Sequence, residues 1–266
     1  MLEIFLICLA FGCFSGILAG LFGLGGGLVL VPFFLILLES HGVANNLLML
    51  MAVATSLATI IITSIAATFT HYRLDAIIWK YVFNLSYGIV IGVVIGAWIA
   101  DSIASDNLRF IFALYMLYVA VKMAMQSKLK AKFKPLAALT LKISGVTIGF
   151  VSSVLGIGGG TLTVPLLAKR QMPMRNAVAI SSACGLPIAV IGTLTYAFLG
   201  WEKTGLPEGS IGYVYLPAFL GIIVSSMLTA PMGAKLANKL PTRQLKRYFS
   251  LLLFAVAGKL LWAIFI

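Results

Sequence analysis

Two glycine runs, Gly23-Leu-Gly-Gly-Gly27 and Gly156-Ile-Gly-Gly-Gly160, are the residues best suited to chemistry, and each precedes a Val-Pro pair, Val31-Pro32 and Val164-Pro165. Both interrupt almost purely apolar stretches. Glycine admits positive φ and lets a ligand approach the main chain closely. Helices starting just after such a break, near Leu28 and Thr161, aim free N–H groups and the positive end of the helix dipole at whatever lies before them. That chemistry suits an anion. Gly25, Gly26, Gly27, Gly158, Gly159 and Gly160 are therefore candidate binding residues, with Pro32 and Pro165 as candidate hinges or helix breaks.

Hydroxyls supply a second element. Thr55, Thr59 and Thr63 recur at i, i+4, with Ser56 beside the first and Ser181-Ser182 as counterparts. Thr55, Ser56, Ser181 and Ser182 are the candidate side-chain donors to an oxyanion. The competing reading is that they bond to their own helix carbonyls or across helices. Asp and Glu are missing from the centre of every apolar span, which counts against a carboxylate proton relay or cation site. No nucleophile–base pair, metal cluster or cofactor motif stands out, so neither an enzyme nor a metal or cofactor site is expected. His71 reads as a solvated histidine at a span boundary.

The elements that position these residues belong to a membrane. The chain is 61% hydrophobic and 10% charged, against about 25% charged for a soluble domain. Residues 81–100 and 211–234 carry no acidic or basic side chain, and each is long enough to cross a hydrocarbon core of about 30 Å. The +12 charge does not point to nucleic acid, because the basic residues sit in short loops between apolar spans. Arg73 with Lys80, the block Lys122–Lys142, Lys169/Arg170/Arg175, and Lys235–Arg247 hold sixteen of the nineteen Lys and Arg. Basic loops stay cytoplasmic. This places the linker 128–136 inside and both termini outside.

The apolar pattern predicts interrupted segments over 3–38 and 137–168. Single spans follow at about 46–70, 77–100, 106–127, 174–200, 210–235 and 243–266. The halves, 1–127 and 137–266, are related. Seven of seventeen positions agree between 16–32 and 149–165, and nine of twenty-eight between 95–122 and 232–259. Corresponding loops fall on opposite sides of the membrane, the inverted arrangement typical of secondary transporters. The expected fold is an all-α polytopic membrane protein of two inverted repeats. Each repeat has a glycine-broken helical hairpin plus three transmembrane helices, about eight spans in all. Gly88/Gly92/Gly96 with Ser225/Thr229/Gly233, and Gly12/Gly16/Gly20, read as close-packing stripes.

With Gly16, Gly23 to Gly27, Val31-Pro32 and their repeat from Gly149 to Pro165 in view, the chain resembles the TauE/SafE sulfite exporter family, also called the toluene-sulfonate uptake permease family. The resemblance implies a bacterial-type inner-membrane permease for sulfite, thiosulfate or organosulfonates, with Gly25–Gly27 and Gly158–Gly160 as the site loops. The expected mechanism is alternating access around a midplane site. The alternatives are an anion channel of the same architecture and a carrier for an unrelated small anion. A small anion and the lipid bilayer are the expected partners, and a coupling proton or sodium ion is left open.

Overall fold

A computed structural model describes residues 2–22, 26–124, 136–237 and 242–265. Gly23 to Gly25, and all but the last residue of the predicted linker 128–136, lie outside them. The described residues form α1 (Leu2–Phe22), α2 (Gly27–Ser40), α3 (Asn45–Arg73), α4 (Trp79–Ser102), α5 (Ser105–Ala124), α6 (Ala138–Leu155), α7 (Gly160–Lys169), α8 (Met174–Leu199), α9 (Leu216–Ala237) and α10 (Thr242–Phe265). Five stretches are long and apolar enough to cross a membrane: α3, α4, α6, α8 and Leu216–Gly233 within α9. The protein is an all-α integral membrane protein.

The bundle has two distinguishable ends. Arg73, Lys80, Lys169 and Arg175 lie at helix ends on one of them, the basic end. At the other, Ser210–Ile211 (β1) pairs antiparallel with Val214–Tyr215 (β2). This hairpin corrects the expected span at 210–235, because the helix begins only at Leu216. Gly209 and Gly212 take positive φ there, and the chain turns twice before Pro217 enters the first helical turn. Trp79 and Trp98, both exposed, stand about 28 Å apart along α4 at 1.5 Å per residue. That spacing fits aromatic anchors at the two faces of a bilayer.

The most extensive packing runs between the halves of the chain. α1 lies along α9, α4 along α6, α3 against α8, and α5 against α10. The small-residue stripes explain the first two pairs. A Cβ on Gly92 would lie 2.0 Å from Val146 O, and one on Gly88 would collide with the Lys142 carbonyl. Gly12 faces Ser225 and Gly16 faces Thr229, so two stripes read separately from the sequence meet across α1 and α9. Backbone-to-backbone approach of this kind is how helices gain packing where lipid removes the hydrophobic drive between them. α3 runs through the middle, buried almost continuously from Leu47 to Ile60.

Candidate functional site

The two breaks have the same local build. Gly26 (φ 77°, ψ −11°) caps α2, and Gly159 (φ 72°, ψ −9°) caps α7. A side chain in this left-handed region costs about 1–2 kcal/mol, which glycine avoids. Val29 and Leu30 N–H donate to Gly26 O at 3.0 Å, and Leu162 and Thr163 N–H donate to Gly159 O at 3.1 and 2.9 Å. No side chain caps either helix. The N–H groups of Gly27, Leu28, Gly160 and Thr161 therefore stand ahead of the first helical bond. Pro32 and Pro165 are each the sixth residue of a helix that runs on through them. Lacking N–H, they leave the carbonyls of Leu28 and Thr161 without the usual i+4 donor.

The breaks touch. A Cβ on Gly27 would sit 2.4 Å from Gly156 O and 2.9 Å from Ile157 Cα. Ser56 Oγ donates to the same Gly156 carbonyl at 2.8 Å. α2 returns from this junction over 14 residues to the hairpin end, and α7 over 10 residues to the basic end. At 1.5 Å per residue these are about 21 and 15 Å, so the junction lies near mid-depth.

A cavity of about 30 Å³ opens beside the second break, enough for about two waters. Gly158, Ser64, Thr63 and Ser182 line it, as do Thr70 and His71 toward the basic end of α3. Ala19, Gly20, Ala230 and Pro231 form the opposite wall. No carboxylate is among its lining residues. Ser182 Oγ is buried without a hydrogen-bond partner, as are Ser181 Oγ, Thr163 Oγ1 and Ser152 Oγ. Buried hydroxyls of this kind are costly unless a ligand or water meets them. Ser152 lies beside the second break, 3.4 Å from where a Gly159 Cβ would be.

The hydroxyl candidates thus divide. Ser182 reaches the cavity, Ser181 is buried nearby in the same helix, and Ser56 ties the two breaks together. Thr55 accepts the Tyr215 N–H at 3.0 Å and so braces the β-hairpin. Thr59 and Thr63 donate to Ser56 O and Ile60 O in their own helix, although Thr63 also lines the cavity. Of the glycines, Gly158 lines this cavity, Gly27 packs into the junction, and Gly26 and Gly159 serve as caps. Gly160 opens α7 and is buried, and Gly25 lies outside the described residues.

The hairpin end carries a buried tyrosine cluster. Tyr213 is buried, and its hydroxyl donates to Asp101 Oδ1 at 2.5 Å. Lys203 approaches the other carboxylate oxygen at 3.6 Å. Burial pushes the Tyr213 phenol above its usual range, and the Asp101 carboxylate beside it adds to the effect. Tyr196 stacks edge-on against Tyr213 and donates to Ser153 O at 3.0 Å.

Residues 8–260 match the sulfite exporter TauE/SafE family. The chain belongs to that family. A probable membrane transporter protein of Haemophilus influenzae is 40% identical over 258 residues, covering 97% of this chain and 98% of the relative. One of Methanocaldococcus jannaschii is 30% identical over 249 residues, covering 91% and 90%. The probable membrane transporter protein YunE of Bacillus subtilis is 23% identical over 283 residues, covering 97% of each chain. No solved structure matches. This TauE/SafE member is accordingly a membrane transporter.

Sequence reasoning missed two parts of the TauE/SafE cavity. His71 lines it instead of standing in solvent, and Ser64 and Thr70 join it. The i+4 stripe of Thr55, Thr59 and Thr63 continues through Ala67 to His71. Extending that series would have reached the cavity. At 3.6 residues per turn each four-residue step rotates the side chain by about 40°, so Thr55 and His71 end on nearly opposite sides of α3.

Proposed function

We propose that this transporter carries small sulfur-containing anions, such as sulfite, thiosulfate or organosulfonates, by alternating access around the junction of its two glycine breaks. The observation that carries the reading is the contact between two glycine breaks that each start an uncapped helix, with a cavity at the second break lined by Gly158 and the unpartnered Ser182 hydroxyl and, among the described residues, by no carboxylate. Main-chain N–H groups and hydroxyls stabilise an anion without the desolvation of a buried counter-charge. The pairing of α1 with α9 and of α4 with α6 supports two inverted repeats, 1–127 and 137–266, each rocking against the other. The basic loops support a cytoplasmic basic end in an inner membrane, with outside termini. In that orientation the cavity faces inward, and Tyr213 with Asp101 closes the outside.

A channel of the same architecture needs a continuous pore, and the buried tyrosine cluster at the hairpin end favours a carrier. Proteoliposomes loaded with labelled sulfite, thiosulfate or sulfoacetate, with and without proton and sodium gradients, test the reading. Saturable flux with counterflow is expected. Flux that never saturates, or none for any sulfur anion, overturns it.

A further inference from the structure

His71 is the one residue lining the cavity whose charge changes near neutral pH. It stands in the last turn of α3, where a helix dipole favours a cation. Its Nδ1 is buried without a hydrogen-bond partner. At the other end of the same cavity, Ser182 is 5% exposed with an unpartnered hydroxyl. The surrounding charges are one-sided. Arg175, from the first turn of α8, interacts electrostatically with His71 while its guanidinium donates to Leu74 O. Arg73 lies 4.3 Å over the Phe69 ring, and Asp75 is exposed in the turn that follows. Lys169 and Arg170 close α7 at the same end. α1 and α9 present only Ala19, Gly20, Ala230 and Pro231 to the cavity, with Lys235 one turn further on in sequence. A charged imidazole there faces other cations and no lining carboxylate, an unfavourable arrangement that an anion in the cavity would reverse.

We infer that His71, as imidazolium, is a ligand of the transported oxyanion, so that the anion binds together with a proton. The inference rests on the sulfur-anion reading above. The sign follows from linkage. An anion that binds the protonated ring raises its pKa. Affinity is therefore full below the anion-free midpoint and falls as pH rises through the anion-bound one. A carrier whose anion and proton share one cavity moves the two together.

The test uses the full chain in lipid nanodiscs with thiosulfate and methanesulfonate. Neither anion gains or loses a proton between about pH 5 and 8, the range in which an imidazole titrates. Sulfite is avoided because it titrates itself. Wild-type binding is expected to be about tenfold tighter at the acid end of that range. His71→Gln should bind at the weak, alkaline level at every pH. His71→Lys should bind with no pH dependence. The chain has two histidines, so ¹⁵N-histidine NMR of a His41→Gln protein reports His71 alone and needs no change at the site. Its titration midpoint should rise on adding thiosulfate. A pH slope retained in His71→Gln, or a midpoint unmoved by a bound anion, overturns the inference. If neither sulfur anion binds, the substrate class falls. A midpoint that still rises with nitrate, which does not titrate in this range, then upholds His71 as an anion ligand, and one unmoved by nitrate removes it.

Discussion

The first and second glycine breaks are near-copies in backbone and unlike in surroundings. Their caps differ by about 5° in φ and 2° in ψ, and each leads into a proline at the sixth helical position. Yet α2 buries ten of its fourteen residues, whereas α7 buries three of ten, Gly160, Thr163 and Leu167. Gly27 is pressed against the Gly156 carbonyl, while Gly158 lines the cavity. Local sequence builds two equivalent helix starts, and the side chains around them decide which one meets the cavity. The ends of the bundle differ in the same sense. Tyr213 is buried at one, and His71 and Thr70 line a hollow toward the other. On the alternating-access proposal, such asymmetry is what one state of a carrier presents.

The harshest way to break the comparison is Gly27→Val. Its side chain would run into the Gly156 carbonyl and Ile157 Cα, both backbone. Flux in proteoliposomes should fall by about a hundredfold or more, equivalent to about 3 kcal/mol or more. Near-normal flux would mean the breaks need not touch. Next comes Tyr213→Phe, which removes a hydrogen bond to a carboxylate worth about 1.5–3 kcal/mol. The hairpin end should then open more often, and a Val214→Cys reporter should react faster with an impermeant thiol reagent. Unchanged labelling would show that the hairpin is not a closure.

The caps themselves should respond unequally to alanine. Gly26→Ala meets Ala19 Cβ and Leu30 Cδ1 at 3.5 Å and Ser15 O at 3.7 Å, ordinary contacts all, so it bears the left-handed strain of about 1–2 kcal/mol alone. Gly159→Ala bears the same strain and also pushes on Ile188 Cδ1 at 2.5 Å. Its thermal midpoint should drop further, and equal drops would contradict the packing described. The smallest stability effect belongs to Ser182→Ala, whose hydroxyl bonds to nothing in the protein. Stability should hold within about 0.5 kcal/mol while the KM for thiosulfate rises several-fold. Ser56→Ala, by contrast, should destabilise by about 1 kcal/mol through the lost Gly156 bond. A Ser182→Ala protein with unaltered KM would leave that hydroxyl without a part in binding.

Much of the architecture was legible because membrane helices write it locally. Long charge-free runs mark α4, α8 and α9. The Gly26 and Gly159 breaks mark α2 and α7, and glycine every fourth residue marks the faces that join α4 to α6 and α1 to α9. The β-hairpin at 210–215 was not legible. Its Val-Tyr pair is as apolar as a helix, and its role depends on Asp101 and Thr55, far away in the chain. The surroundings of the candidate residues were half legible. Ser182 and Gly158, chosen through the repeat, line the cavity. Thr55, chosen by its spacing, stands at the hairpin instead, and His71 was set aside because a boundary histidine has no signal of its own.

By itself the amino-acid sequence determined that this chain lives in a bilayer, where its helices break and which of their faces come close. Those properties depend on residues within a turn or two of each other. Only the tertiary structure decided what each hydroxyl and the one cavity histidine face. A helix turns about 100° per residue, and the surroundings of the side chains on α3 are supplied by α2, α5, α8, α9 and the hairpin, which the residues within a turn or two on α3 itself cannot specify.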